Sequence, residues 1–283
     1  METIFGPLAH QIPASLKDVR LLYEFAMSHA DHRVDDWSLM GSPIYVIGII
    51  ASYLITVIFC KKIIVKMFYS IKVVQYLHPY NMILLVANAI MGTMFLWHIY
   101  QVGYNWRCQP VRVHGYHELN IAQLMWYFFI SKIVELMDTF WLILKKKGAP
   151  LTFLQVYHHS TIVFACWIGA RFVPGGSSAL IALVNCWVHV LMYTYFKLKS
   201  MGMREIVSYK KFVTIMQMLQ FLATIIHCIT AMNADCNYPL FILFWLMLYM
   251  MTFVILFTHF YCNTYHPSVR SKAESKIKVK KLK

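Results

Sequence analysis

Six uncharged stretches, each long enough to cross a bilayer, leave this chain little choice of fold. Trp37 to Cys60, Pro79 to Trp106, Gly148 to Ala170, Phe172 to Phe196, Phe212 to Ala234 and Cys236 to Val269 contain no Lys, Arg, Asp or Glu. A spanning helix needs about 20 mainly apolar residues. A seventh stretch, Leu119 to Leu144, is as long but carries Lys132, Glu135 and Asp138. In hydrocarbon every backbone polar group needs an internal partner, and a helix supplies these within one segment. The expectation is an all-α polytopic membrane protein with seven transmembrane helices. Composition agrees: 13% of the 283 residues are charged, about half the share usual in soluble domains. The expected organisation is a lumenal segment over 1–36, a seven-helix membrane domain over 37–268 and a basic cytosolic tail over 269–283. The first 36 residues are mixed and polar, without the apolar core of a cleavable signal peptide.

The net charge of +14 is distributed unevenly. If segments alternate between sides, 19 of the 26 Lys and Arg fall on one side: the clusters at 61–72, 145–147, 197–211 and 270–283. Six fall on the other, and Lys132 lies within a span. Excess Lys and Arg marks the cytosolic side. This places the N-terminus in the lumen, the C-terminus in the cytosol, and requires an odd number of spans. Lysines in short loops beside spans also make nucleic acid a poor partner. The chain ends Lys280-Lys281-Leu282-Lys283, the spacing of a dilysine retrieval signal of endoplasmic reticulum membrane proteins.

Ionisable groups inside spans are costly and are candidates for function. Span three holds Lys132, Glu135, Asp138 and Thr139; on an uninterrupted helix they share one broad face. Span four holds Gln155, His158 and His159. Span five places Asn185, His189 and Tyr193 four residues apart on one face, with Tyr195 beyond. Span six carries Thr214, Gln217, Gln220, Thr224 and His227 on one stripe, a pattern that also serves interhelical hydrogen bonds. At about 1.5 Å per residue, Glu135, His158, His189 and Gln217 lie roughly 15, 16, 12 and 9 Å in from their cytosolic lysines. A common depth on four helices implies one polar chamber open to the cytosol. Mostly apolar spans beyond it imply a tunnel for a hydrocarbon tail. Of the seven cysteines, only Cys108 and Cys236 fall in lumenal loops, where an oxidising compartment favours a disulfide between them.

Taken in order, these strings resemble the animal very-long-chain fatty-acid elongases. That family's pattern reads K-x-x-E-x-x-D-T, H-x-x-H-H, N-x-x-H-x-x-M-Y-x-Y-Y and T-x-x-Q-x-x-Q. The chain matches it with Lys132/Glu135/Asp138/Thr139, Gln155/His158/His159, Asn185/His189/Met192/Tyr193/Tyr195 and Thr214/Gln217/Gln220. Tyr104-Asn105-Trp106-Arg107-Cys108 is similar to the family's loop before span three. Gln155 stands for the first box histidine and cannot titrate near neutrality; Phe196 stands for the last tyrosine.

The resemblance implies condensation of a long-chain acyl-CoA with malonyl-CoA, without cofactor or metal, in the endoplasmic reticulum membrane. His158 is the expected nucleophile and His189 the base or proton shuttle, with His159, Glu135 and Asp138 completing the catalytic set; Cys186 and Cys166 are the rival nucleophiles, but an apolar span disfavours a thiolate. Lys132, Thr139, Gln155, Asn185, Tyr193, Tyr195, Gln217 and Gln220 are expected around the substrate. Lys145, Lys146, Lys147, Lys210 and Lys211 are expected at CoA phosphates. Expected partners are the bilayer, the reductases and dehydratase of the elongation cycle, and a second copy of the chain. A membrane di-iron desaturase or hydroxylase is the main alternative, because it too uses H-x-x-H-H boxes. It needs about eight histidine ligands, whereas here one incomplete box is present and His98 and His189 stand alone in their spans. A seven-span receptor or transporter has no need of this co-layered chemistry.

Overall fold

The computed structural model describes residues 19–69, 72–145, 151–203, 205–234 and 236–265. Among them the regular elements are all helical. Helix α1 is Val19–Ser28. Helix α2, Pro43–Met67, starts at Ser42, whose hydroxyl accepts from the Ile44 amide at 3.3 Å, with Pro43 in the first turn. Pro lacks the N–H that a first turn would leave unpaired, so the position suits it. The remaining helices are α3, Val73–Val102; α4, Tyr116–Glu135; α5, Met137–Lys145; and α6, Phe153–Phe172. They are followed by α7, Ser177–Ser200; α8, Tyr209–Met232; and α9, Leu240–Tyr265.

Among the described residues, α2, α3, α7, α8 and α9 are each long and apolar enough to cross a membrane. Two expected boundaries differ. Pro79 was expected at a span entrance, yet α3 begins at Val73 and carries Pro79 within it. Neighbouring helices let spanning helices tolerate such a proline. Leu119 to Leu144 was expected as one helix, but it breaks at Leu136 into α4 and α5. There the Leu136 amide reaches back to Ile133 and the Thr139 amide to Leu136, both at 3.1 Å. These tighter i to i+3 bonds shift the phase of every residue beyond the break.

The packing order is a closed ring. Helix α3 lies against α4 and α7, α4 against α6, α6 against α9, α9 against α8, and α8 against α7. Helix α2 stands outside the ring, touching α6. At the end bearing Cys108 and Cys236 the ring is fastened. The two cysteines form a disulfide across 128 residues. Gly176 adopts φ +57°, and a Cβ there would stand 2.5 Å from the Gln109 carbonyl oxygen. Only glycine permits that approach. The Ser177 amide donates to the same carbonyl at 2.9 Å.

The segment before α2 closes over this end. Arg33 pairs with Asp31 at 2.7 Å and donates to the Arg112 carbonyl at 3.0 Å. Arg171 pairs with Asp35. The indoles of Trp126 and Trp167 hold the Ser38 and Leu39 carbonyls at 3.0 and 2.9 Å. Burial alone would raise the Asp31 carboxyl, but Arg33's hydrogen bonds outweigh it and hold it below its ordinary value. His32, then Arg171, hold Asp35 low as well.

Candidate active site

At the opposite end the ring encloses a cavity of about 380 Å³. Every ring helix contributes. Leu77 and Asn81 come from α3 and Glu135 from α4; Asp138, Trp141 and Lys145 come from α5. Helix α6 supplies Gln155, His158 and His159, and α7 supplies Asn185, His189 and Tyr195. Thr214, Gln217 and Gln220 come from α8, and Phe257 and Phe260 from α9.

Its centre is a buried charge relay between helices. Glu135 Oε1 accepts from the Lys132 ammonium at 2.8 Å and lies 3.3 Å from His189 Nδ1. Lys132 and Glu135 are each 1% exposed. Lone charges in this setting are strongly disfavoured, whereas a paired, hydrogen-bonded set is tolerated. With Nδ1–H directed at the carboxylate, the His189 ring leaves Nε2 as an acceptor. One turn on, the Tyr193 hydroxyl donates to Asp138 Oδ2 at 2.8 Å. Thr139, past the break in the helix, turns away from the cavity and shares a hydrogen bond with Tyr53 of α2 at 3.0 Å. Gln155 Nε2 donates to the same Thr139 hydroxyl at 3.4 Å. Gln155 therefore braces the box where a histidine was expected from the pattern.

The neighbouring histidines differ in setting. His158 has its ring centroid 5.3 Å from both His159 and Phe253, each edge-on. Phe253 stacks on Phe221, and Phe257 closes on Phe221 at 5.1 Å. His158 thus faces the cavity with an aromatic wall behind it. His159 is 6% exposed, and its Nδ1 has no hydrogen-bond partner among the described residues.

The structure gathers most of the site expected from the motifs and leaves some of it outside. Lys132, Thr139 and Tyr193 are sealed behind the lining, where they support Glu135, Gln155 and Asp138. Lys145 and Lys210 line the cavity with Lys199, whose ammonium lies 5.6 Å from the Tyr195 ring. Lys211 instead sits over Tyr261 at 5.7 Å. Lys146, Lys147, Lys280 and Lys281 lie outside the described residues. Gln217 reaches Met192 of α7 at 3.4 Å, whereas Thr214 and Thr224 bond carbonyls of their own helix. Motif reading missed Asn81, Trp141 and Lys199. Asn81 carried a usable signal, a polar residue within an uncharged span.

Beyond the cavity the interior is packed. Met91, Phe95, Met125, Phe128 and Leu183 meet in one core cluster. His98 of α3 meets His117 of α4, Nδ1 to Nδ1, at 2.9 Å. The Lys132 ammonium also lies 3.4 Å from His189 Nδ1. Among the described residues no three His, Cys, Asp or Glu side chains are grouped to hold a metal.

Comparison with known proteins converges on one family. The model of the GNS1/SUR4 family, ELO, matches residues 38–275. The chain is 33% identical over 272 residues to very long chain fatty acid elongase 4 of Homo sapiens, covering 95% of this chain and 86% of that protein. It is 34% identical over 251 residues to elongase 5 of Mus musculus, covering 88% and 83%. With elongase 2 of Mus musculus it shares 30% over 271 residues, covering 95% and 92%. The ring of helices thus belongs to a member of the GNS1/SUR4, or ELO, family.

Proposed function

We propose that the chain is a very-long-chain 3-oxoacyl-CoA synthase of fatty-acid elongation. It condenses a long-chain fatty acyl-CoA with malonyl-CoA, giving 3-oxoacyl-CoA, CO2 and CoA. The observation that carries the chemistry is the meeting of His158, His159, His189, Glu135 and Asp138 in one cavity at the lysine-bearing end. The relatives' shared name, very long chain fatty acid elongase, supports the substrate class.

His158 attacks the acyl-CoA carbonyl through its unprotonated nitrogen, the C–S bond breaks, and the acyl group rests on the imidazole. The departing thiolate takes a proton from solution, passed by His189 while Glu135 fixes that ring. Malonyl-CoA then occupies the vacated head site and loses CO2. The resulting enolate attacks the acyl carbon, and the C–N bond breaks to return neutral His158. Histidine suits both roles because its basicity lies near neutral pH. Lys145, Lys199 and Lys210 draw the phosphates to the mouth. The acyl tail threads between the core side chains beyond the cavity, parting Phe95, Phe128 and Leu183. The scheme needs no metal or cofactor.

In this reading α4 with α5, and α6, complete seven spans, with the N-terminus lumenal and residues 269–283 cytosolic. The catalytic domain is 37–268, and the membrane is that of the endoplasmic reticulum. The product passes to a ketone-reducing enzyme and then a dehydratase of the same cycle, and two copies of the chain associate in the bilayer.

Single-turnover mass spectrometry with acyl-CoA alone tests the nucleophile. The wild type should release CoA and gain an acyl mass on the His158 peptide. His158→Ala should do neither, and Cys186→Ala should do both. An acyl mass on a cysteine, or no CoA release before malonyl-CoA is added, rules out His158. Fatty-acid profiling in elongase-deficient cells expressing the chain tests the overall activity.

A further inference from the structure

We infer that Asn81 of α3, with Trp141 of α5, forms the oxyanion site that holds the extender's thioester oxygen while the enolate develops; this rests on the condensation reading above. Neither residue belongs to the motifs that carry the family resemblance.

Asn81 is 2% exposed, lines the cavity, and its Nδ2 has no hydrogen-bond partner among the described residues. Trp141 lines the same cavity, and its Nε1 is likewise buried and unpartnered. Buried donors are rarely left unsatisfied, and those in native proteins call for an explanation. Asn88, two turns along α3, shows what a structural asparagine does: its Nδ2 donates to the Leu84 carbonyl of its own helix at 2.9 Å. Asn81 makes no such bond, and its side chain lies at the cavity lining. Trp141 is fixed in orientation. Its ring stacks on Tyr76 at a 7° interplanar angle and is flanked by Tyr80 and Phe140.

The chemistry selects donors of this kind. When malonyl-CoA loses CO2, the C–C electron pair passes to the α-carbon and onto the thioester oxygen as an enolate. Donors aimed at that oxygen stabilise the developing charge. Cations on the leaving carboxylate would stabilise the ground state instead. An amide and an indole N–H are neutral and have no proton to lose near pH 7. The other unpartnered atoms at the cavity are less suited. Asn185 offers Oδ1, an acceptor, while His159 Nδ1 and Tyr195 Oη can act either way. The carboxylates nearby are already engaged, Asp138 by Tyr193 and Glu135 by Lys132 and His189. When the enolate attacks the acyl carbon on His158, the oxygen returns to a carbonyl and the donors release it.

The test separates the two half-reactions of the full-length protein in detergent. Asn81→Leu and Trp141→Phe should each lower kcat for malonyl-CoA-dependent CO2 release, by about 10²-fold for Asn81→Leu. The KM for malonyl-CoA should move by less than about threefold, as for an interaction made mainly in the transition state. The burst of CoA from acyl-CoA alone should persist in both variants. Trp141→Phe keeps the stacked ring, so it reports the lost N–H should Asn81→Leu fold poorly. CO2 release near the wild-type rate in Trp141→Phe and in any folded Asn81→Leu overturns the inference. So does loss of the burst in proportion to CO2 release. A wild type that releases no CO2 from malonyl-CoA overturns the condensation reading itself, and the oxyanion site with it.

Discussion

Glu135 Oε1 and His189 Nδ1 stand 3.3 Å apart, and the Lys132 ammonium shares the same carboxylate oxygen at 2.8 Å. One buried oxygen therefore neutralises a cation and orients a histidine on another helix. Glu135→Gln should leave the Lys132 charge buried and unpaired, lowering stability by about 3–5 kcal/mol. Glu135→Gln with Lys132→Met should recover much of that stability but not turnover, because His189 loses its orienting carboxylate. Thermal unfolding and condensation assays on the same preparations check both. A double variant as active as wild type would reduce Glu135 to a counter-ion.

Tyr193 is fully buried, and its hydroxyl ends on Asp138 at 2.8 Å. Tyr193→Phe keeps the ring but leaves one buried carboxylate oxygen unsatisfied, at a cost of about 1–3 kcal/mol. Condensation should slow by at least about tenfold, the factor that corresponds to about 1.4 kcal/mol in the barrier. Unchanged turnover would place Asp138 outside the chemistry.

The Cys108–Cys236 disulfide joins the loop before α4 to the loop before α9. Cys236→Ser should lower stability by about 2–5 kcal/mol. Intact-mass measurement should find no thiol at either cysteine in the wild type until reductant is added.

The clasp over the same end should respond to acid and not to mildly basic pH. Asp35 and Asp31 titrate below the ordinary carboxylate value of 3.8 in the folded chain. Their contribution is thus complete above that value and fades as pH falls through the lower folded values. Hydrogen exchange at the Asp31 amide, which donates to the Arg171 carbonyl at 2.9 Å, should quicken below about pH 4 after correction for intrinsic rate, near the ordinary carboxylate range. Asp35→Asn should remove Asp35's share of the acid response.

Lys280→Ser with Lys281→Ser should release the protein from the endoplasmic reticulum to later compartments, visible by microscopy. Full retention of the double variant would make the dilysine reading unnecessary.

The helical class, the position of most spans and the ionisable groups that meet at the cavity are written in the sequence. Apolar length and the cost of charge in hydrocarbon act locally, residue by residue. Even the disulfide follows, because only Cys108 and Cys236 fall in loops assigned to the oxidising side. The ring order does not follow, since nothing in a span states which neighbour it meets. Spacing on an ideal helix placed Thr139 beside Glu135, but the break at Leu136 turns Thr139 to Tyr53. The family resemblance put Lys132 and Tyr193 around the substrate, whereas packing seals both behind the lining. Trp141 is one aromatic among many in the chain, and Asn81 shows only as a polar residue within an uncharged span. They line one cavity only because α3 and α5 are held there by contacts distant in sequence.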